Sequence, residues 1–162
     1  MGPYINSELM EAMCDGKLDA FDKNEICNNI KLMKAIYEGK ISTINKYINH
    51  VDLTYIEDGE TFVTASLSNS DVYLAQRFLK KDSTLLNHQN NDGETALIIL
   101  CKHDDGNGIE GRIEVIKLLL ELKCNVITKD FDGNTAMHYA IQKNDTEILA
   151  LFDEHFYMIT DE

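Results

Sequence analysis

Three times along the chain an Asp-Gly pair is followed two residues later by Thr: Asp58-Gly59-Glu60-Thr61, Asp92-Gly93-Glu94-Thr95 and Asp132-Gly133-Asn134-Thr135. The spacings are 34 and 40 residues. A period of this size marks stacked supersecondary units and constrains the fold more than composition does. Asp-Gly is turn chemistry, because glycine accepts positive φ and the Asp carboxylate closes the turn. Thr then stands where its hydroxyl can cap the free amides of a helix start. After each Thr come a short apolar segment, a break and a second apolar pattern. That second pattern is clearest in Val115, Ile116, Leu118, Leu119 and Leu120, a stripe too wide for one face against water. Such a helix needs neighbours on both sides, and stacking supplies them.

Thr135-Ala136-Met137-His138-Tyr139-Ala140 and, more weakly, Thr95-Ala96-Leu97-Ile98-Ile99-Leu100 resemble the Thr-Pro-Leu-His-x-Ala signature of the ankyrin-repeat family, whose unit is about 33 residues. Glu114-Val115-Ile116-Lys117-Leu118-Leu119-Leu120 is similar to the family's second helix. No unit has the usual Pro after Thr. The resemblance implies an all-α solenoid of about four helix-turn-helix units with an N-terminal helical cap. In the family's register the break between helices falls at Gly39, Ser70, Gly111 and Asn144, which puts the Thr position of a degenerate first unit at Ile30. The units are then 28–57, 58–91, 92–131 and a capping unit at 132–162. Leu9-Met10-Glu11-Ala12-Met13-Cys14-Asp15-Gly16 echoes the first unit and makes 1–27 a helical cap or partial repeat. The extra length of the third unit is an insertion at 104–110.

The chain has 162 residues and a formal net charge of −13, with the excess at its ends. Residues 1–28 carry six acids and two bases, and 132–162 carry seven acids and one base. A nucleic-acid partner is therefore not expected, since phosphate contacts need clustered Lys and Arg. An anionic membrane surface is disfavoured for the same reason. No apolar run approaches the roughly 18 residues of a span, and the first residues lack the pattern of a signal peptide. Acidic ends read most simply as caps that keep a stack soluble. Cys14, Cys27, Cys101 and Cys124 are scattered, with no Cys-x-x-Cys, so a reduced, cytoplasmic setting is expected, in the cell's own cytosol or a host's.

Cys101 and His103 are the one pair that could suggest a thiol nucleophile. In register, however, Cys101 and Cys124 fall at small buried positions, where Cys behaves as a hydrophobe. His138 falls on the signature His, which in the family usually bonds backbone. The insertion could offer Asp104, Asp105, Asn107 and Glu110 to a cation, but not in the order of an EF-hand loop. A solvated loop is the expectation, and no metal, cofactor or catalytic residue is assigned.

The resemblance implies a binding module whose contacts come from turn tips and first helices on a concave face. Carried over by register, these are Tyr37 and Glu38 in the first unit and Glu57, Asp58, Glu60, Ser68 and Asn69 in the second. Asn91, Glu94, Lys102 and His103 follow in the third unit, and Phe131, Asn134, Gln142 and Lys143 in the fourth. Tyr37 and Phe131 stand out because aromatic anchors dominate interface energies, and Phe131 the more so, as an apolar ring at a turn tip has no evident core role. The acids at the tips suit a partner protein with a basic patch. The expected molecule is a monomer that binds, and inhibits or tethers, another protein. Lys outnumbers Arg 13 to 2, a bias common in AT-rich microbial and viral genomes. Alternatives are an immunity protein or antitoxin against a basic toxin, and a viral or bacterial effector acting on a host protein. A cysteine-dependent enzyme ranks last.

Overall fold

The computed structural model describes residues 23–103 and 109–160, and the chain divides into two compact units, 1–55 and 56–162. The upstream copy at 9–16, Cys14, most of the proposed cap and the core of the insertion lie outside the described residues.

In the first unit, α1 (Lys23–Tyr37) packs against α2 (Ile41–Tyr47). Leu32, Met33, Ala35 and Ile36 of α1 and Ile44 of α2 are buried at the contact. Gly39 closes α1 at φ +64°, with the Gly39 and Lys40 amides donating to Ile36 and Ala35 carbonyls. One helix runs through both the proposed boundary at 27/28 and the expected helix start at Ile30. No capping Thr interrupts it, and the apolar pattern extends upstream without a break. The chain after α2 is tied back by Asn29 Oδ1, which accepts from the Asp52 amide at 3.0 Å.

The second unit opens with a small hairpin, β1 (Ile56–Glu57) and β2 (Glu60–Thr61), paired antiparallel with Ile56 opposite Thr61. Six helices follow: α3 (Phe62–Ser68), α4 (Val72–Lys81), α5 (Ala96–Lys102), α6 (Ile109–Glu121), α7 (Ala136–Gln142) and α8 (Thr146–Thr160). The first helices α3, α5 and α7 stack as one layer, and the second helices α4, α6 and α8 as the other. Each short first helix is capped by its Thr: Thr61, Thr95 and Thr135 accept from the amides of Thr64, Ile98 and His138. Ser70 and Asn144 stand at the breaks with φ of +60° and +53°. Gly111 does not. It lies inside α6, and a Cβ there would sit 3.1 Å from Val72 Cγ2. Gly111 is therefore not the break of the third repeat; its lack of a side chain lets α6 pack closely on α4.

The core between the layers contains Ile98, Ile116, Leu119, Ile148 and Phe152, all fully buried or within 1% of it. Phe62 and Phe78 stack with ring centroids 5.3 Å apart. Arg112 and Asp145 form a shielded ion pair, Nη2 to Oδ2 2.6 Å, between α6 and the start of α8. Asp145 Oδ1 also accepts from the Ile148 amide and so caps α8.

Candidate functional site

The turn tips of the second unit are joined by a ladder of polar contacts. Asp58 and Gly59 reverse the first hairpin at φ +50° and +81°, and Gly93 and Gly133 hold +76° and +84° at the next two. The first two tips are each roofed by a residue of the next repeat, whereas the Gly133 tip is uncovered. The Asn91 amide covers Gly59 and donates to the Asp58 carbonyl at 2.7 Å. The Phe131 amide donates to the Asp92 carbonyl at 3.1 Å, and its ring lies over Gly93. His88 Nε2 meets the Gly59 carbonyl at 2.7 Å, and Gln89 Nε2 donates to the Gly93 and Lys129 carbonyls. Phe131 is nevertheless 77% exposed, so the tips are fixed in place while one aromatic ring faces water.

Within the first-helix layer, α5 and α7 meet through a charged network. Glu94 points inward, not outward as an acidic tip, and is only 5% exposed. Its Oε1 accepts from Lys102 Nζ at 2.6 Å, and His103 Nε2 lies 3.9 Å from Oε2. The Glu94 hydrogen bond raises the Lys102 pKa. The same ammonium lies 5.4 Å from the Tyr139 ring centre, and the Tyr139 hydroxyl donates to Asp130 Oδ2 at 2.5 Å. Asn134 Nδ2 donates to that hydroxyl at 3.3 Å. Burial pushes the Asp130 carboxyl up, but bonds from Tyr139 and the Asn134 amide outweigh it and leave the pKa lowered. Burial and the bond to Asp130 raise that of Tyr139. Asp130 and Tyr139 were absent from the sequence expectation, since both occupy positions that read as turn and core. The hydroxyl of a Tyr next to the signature His was the only available signal.

The remaining expected residues divide by surroundings. Ser68, Asn69, His103, Gln142 and Lys143 are exposed at the ends of α3, α5 and α7, and Asp58 and Asn91 at the tips, while Glu57, Glu60, Lys102 and Asn134 are half-buried. Glu60 Oε1 accepts from Asn90 Nδ2 at 3.2 Å. Tyr37 and Glu38 belong to the first unit, where Glu38 pairs with Lys40 at 2.7 Å and its pKa is lowered by that bond. Ile127 and Ile141 are also exposed and were not singled out from sequence.

Burial drives the Cys101 thiol up to about 12, so it stays protonated at neutral pH, and His103 turns to Glu94 instead. Cys124 is pushed to about 11 by the same cause. Cys27 is disulfide-bonded, contrary to the expectation of scattered reduced thiols. His138 Nδ1 accepts from the Thr135 amide at 3.3 Å, completing a capping box. Asp104, Asp105 and Asn107 lie outside the described residues, and Glu110 falls within α6. Among the described residues no three His, Cys, Asp or Glu side chains gather as metal ligands, and no helix is long and apolar enough to cross a membrane.

Capped helix pairs joined by Asp-Gly turns, stacked in two layers with side chains offered from tips and first helices, define a repeat-built interaction scaffold. The chain belongs to the ankyrin-repeat family: a profile of ankyrin repeats in three copies matches residues 32–130 and 84–159. An ankyrin repeat protein of Acanthamoeba polyphaga mimivirus is 39% identical over 66 residues, 41% of this chain and 14% of that protein. NF-kappa-B inhibitor alpha of Gallus gallus is 28% identical over 102 residues, covering 61% of this chain and 30% of the relative. An IkB-like protein of African swine fever virus is 28% identical over 94 residues, 54% and 37% of the two chains. The chain thus spans well under half the length of these relatives.

Proposed function

We propose that the protein is a non-catalytic interaction module that binds another protein and blocks or tethers it. The contact surface is the row of turn tips and first-helix ends in the second unit. Phe131 carries the reading: a large aromatic ring, 77% exposed and anchored by its own backbone bond to Asp92. Rigid exposed aromatics of this kind are the residues that dominate binding energy. Asn134 in the same turn and Lys102, His103, Gln142 and Lys143 at the ends of α5 and α7 would supply a polar rim. The names of two relatives, an NF-kappa-B inhibitor and an IkB-like viral protein, support an inhibitory version. Viral relatives further favour an effector acting on a host protein over an immunity protein or antitoxin. The names of these relatives make NF-kappa-B one partner to assay, with the protein acting as a monomer.

The test compares wild-type and Phe131→Ala baits for quantitative capture of interacting proteins, alongside direct binding to purified NF-kappa-B. A protein held by the wild type and lost with Phe131→Ala supports the mapped surface. Equal capture by both baits would overturn it.

A further inference from the structure

We propose that Glu60 receives a basic side chain, an Arg or Lys of the bound protein, which enters the first-helix row beside Ser68. This rests on the interaction reading above and assigns one contact within it.

Two repeats in the same register differ around this carboxylate. Each places a Glu immediately before its capping Thr, Glu60 before Thr61 and Glu94 before Thr95. Eight residues on, the third unit has Lys102, and the next residue is His103. Both turn to Glu94, with Lys102 Nζ at 2.6 Å and His103 Nε2 at 3.9 Å. In the second repeat those two positions are Ser68 and Asn69, both uncharged and both exposed. Glu60 Oε1 has one neutral donor, Asn90 Nδ2, at 3.2 Å. Glu60 Oε2 is shielded from water and has no hydrogen-bond partner among the described residues.

The neighbouring repeat repeats the contrast. Asp130 sits one repeat beyond Asn90, and both side chains accept from the amide four residues later, Glu94 for Asn90 and Asn134 for Asp130. Lys102 therefore serves two carboxylates, Glu94 directly and Asp130 through its field. At Glu60 the corresponding neighbour is the neutral Asn90, and no lysine is supplied from the eighth position. The third repeat satisfies its row carboxylate internally, whereas among the described residues the second repeat supplies no cation. A carboxylate in partial shelter binds a cationic donor through a charge-assisted bond, stronger than the amide bond it has now. A guanidinium suits the site because its planar fork offers several donors to one carboxylate.

The probe is acetyl-Gly-Arg-Gly-amide, with the citrulline tripeptide as an uncharged isostere, titrated into the full chain and followed by amide NMR shifts. Saturable shifts at Thr61, Thr64, Ser68 and Asn90 are expected for the Arg peptide and not for the citrulline one. Glu60→Gln, which keeps size and hydrogen-bonding shape, should abolish them. Ser68→Lys supplies the missing cation from within, as Lys102 does for Glu94. It should abolish peptide binding too, while raising Tm by a few degrees. Arg-peptide shifts that survive either substitution, that map elsewhere, or that never arise would overturn the assignment. If Phe131→Ala still loses the captured protein in that case, the interaction surface stands without Glu60. If the peptide binds Glu60 but Phe131→Ala changes no capture, the Glu60 receptor stands and the Phe131-centred surface falls.

Discussion

Gly93 and Gly133 hold the same left-handed turn, at φ +76° and +84°, but in different surroundings. A Cβ on Gly93 would lie 2.6 Å from Phe131 Cδ1, whereas one on Gly133 meets nothing within 4 Å. Both Ala substitutions force an L-residue into left-handed backbone, at about 1–2 kcal/mol. Gly93→Ala carries the collision as well, so its Tm should fall clearly further than that of Gly133→Ala. Equal losses in thermal melts would mean that the Phe131 ring is not seated on the tip. Phe131→Ala itself should leave Tm nearly unchanged, because most of the ring faces water. It should weaken partner binding by about 30-fold or more, corresponding to roughly 2 kcal/mol for an aromatic hot spot. Calorimetry on an identified partner checks the second half, and a loss below about threefold would demote Phe131 to the rim. At this scale the sequence was most readable where chemistry is local. Thr61, Thr95 and Thr135 cap because their hydroxyls reach amides three residues away, whatever lies beyond. Glu94 was misplaced because its direction depends on Lys102, eight residues further along the next helix.

Helix α6 shows the same division among elements. The wide stripe from Val115 to Leu120 announced a helix packed on more than one side, and Val115, Ile116 and Leu119 are indeed buried. Its start differs from the sequence expectation. Gly111 looked like a break because Gly suits left-handed backbone, but here it is small for a different reason, the approach of Val72 and Tyr73. The Arg112–Asp145 pair that joins α6 to α8 had no sequence signature, since the partners are 33 residues apart. Removing one member leaves an uncompensated charge in a shielded site, at a cost of about 3–5 kcal/mol. Arg112→Met should therefore lower stability markedly in urea melts. Arg112→Met with Asp145→Asn should recover much of the loss, because Asn keeps a capping oxygen for α8. A double variant no more stable than the single one would assign the loss to packing of the Arg stem.

For the whole molecule, the net charge of −13 and the buried network respond differently to pH. Asp130 has a lowered pKa in the folded chain, so its contribution is complete above its ordinary value of 3.8 and is lost as pH falls through the folded value. Tyr139 has a raised pKa, so its contribution is complete below 10.0 and is lost as pH rises through the folded value. Plots of Tm against pH should accordingly fall more steeply for the wild type than for Asp130→Asn on the acid side. On the alkaline side the wild type should fall more steeply than Tyr139→Phe. Parallel curves at either end would remove that residue from the network.

By itself the sequence determined the repeat, the family, the capped first helices and the exposed ring at position 131. These follow from turn chemistry, helix periodicity and spacing, which act within a few residues of each other. Only the tertiary structure decided that one helix runs from Lys23 through Ile30 and that Gly111 sits inside α6. It alone turned Glu94 inward to Lys102, while Glu60 meets no cation among the described residues. Those outcomes depend on which side chains stacking brings together across a repeat, and electrostatic partners chosen at that range leave no periodic trace along the chain.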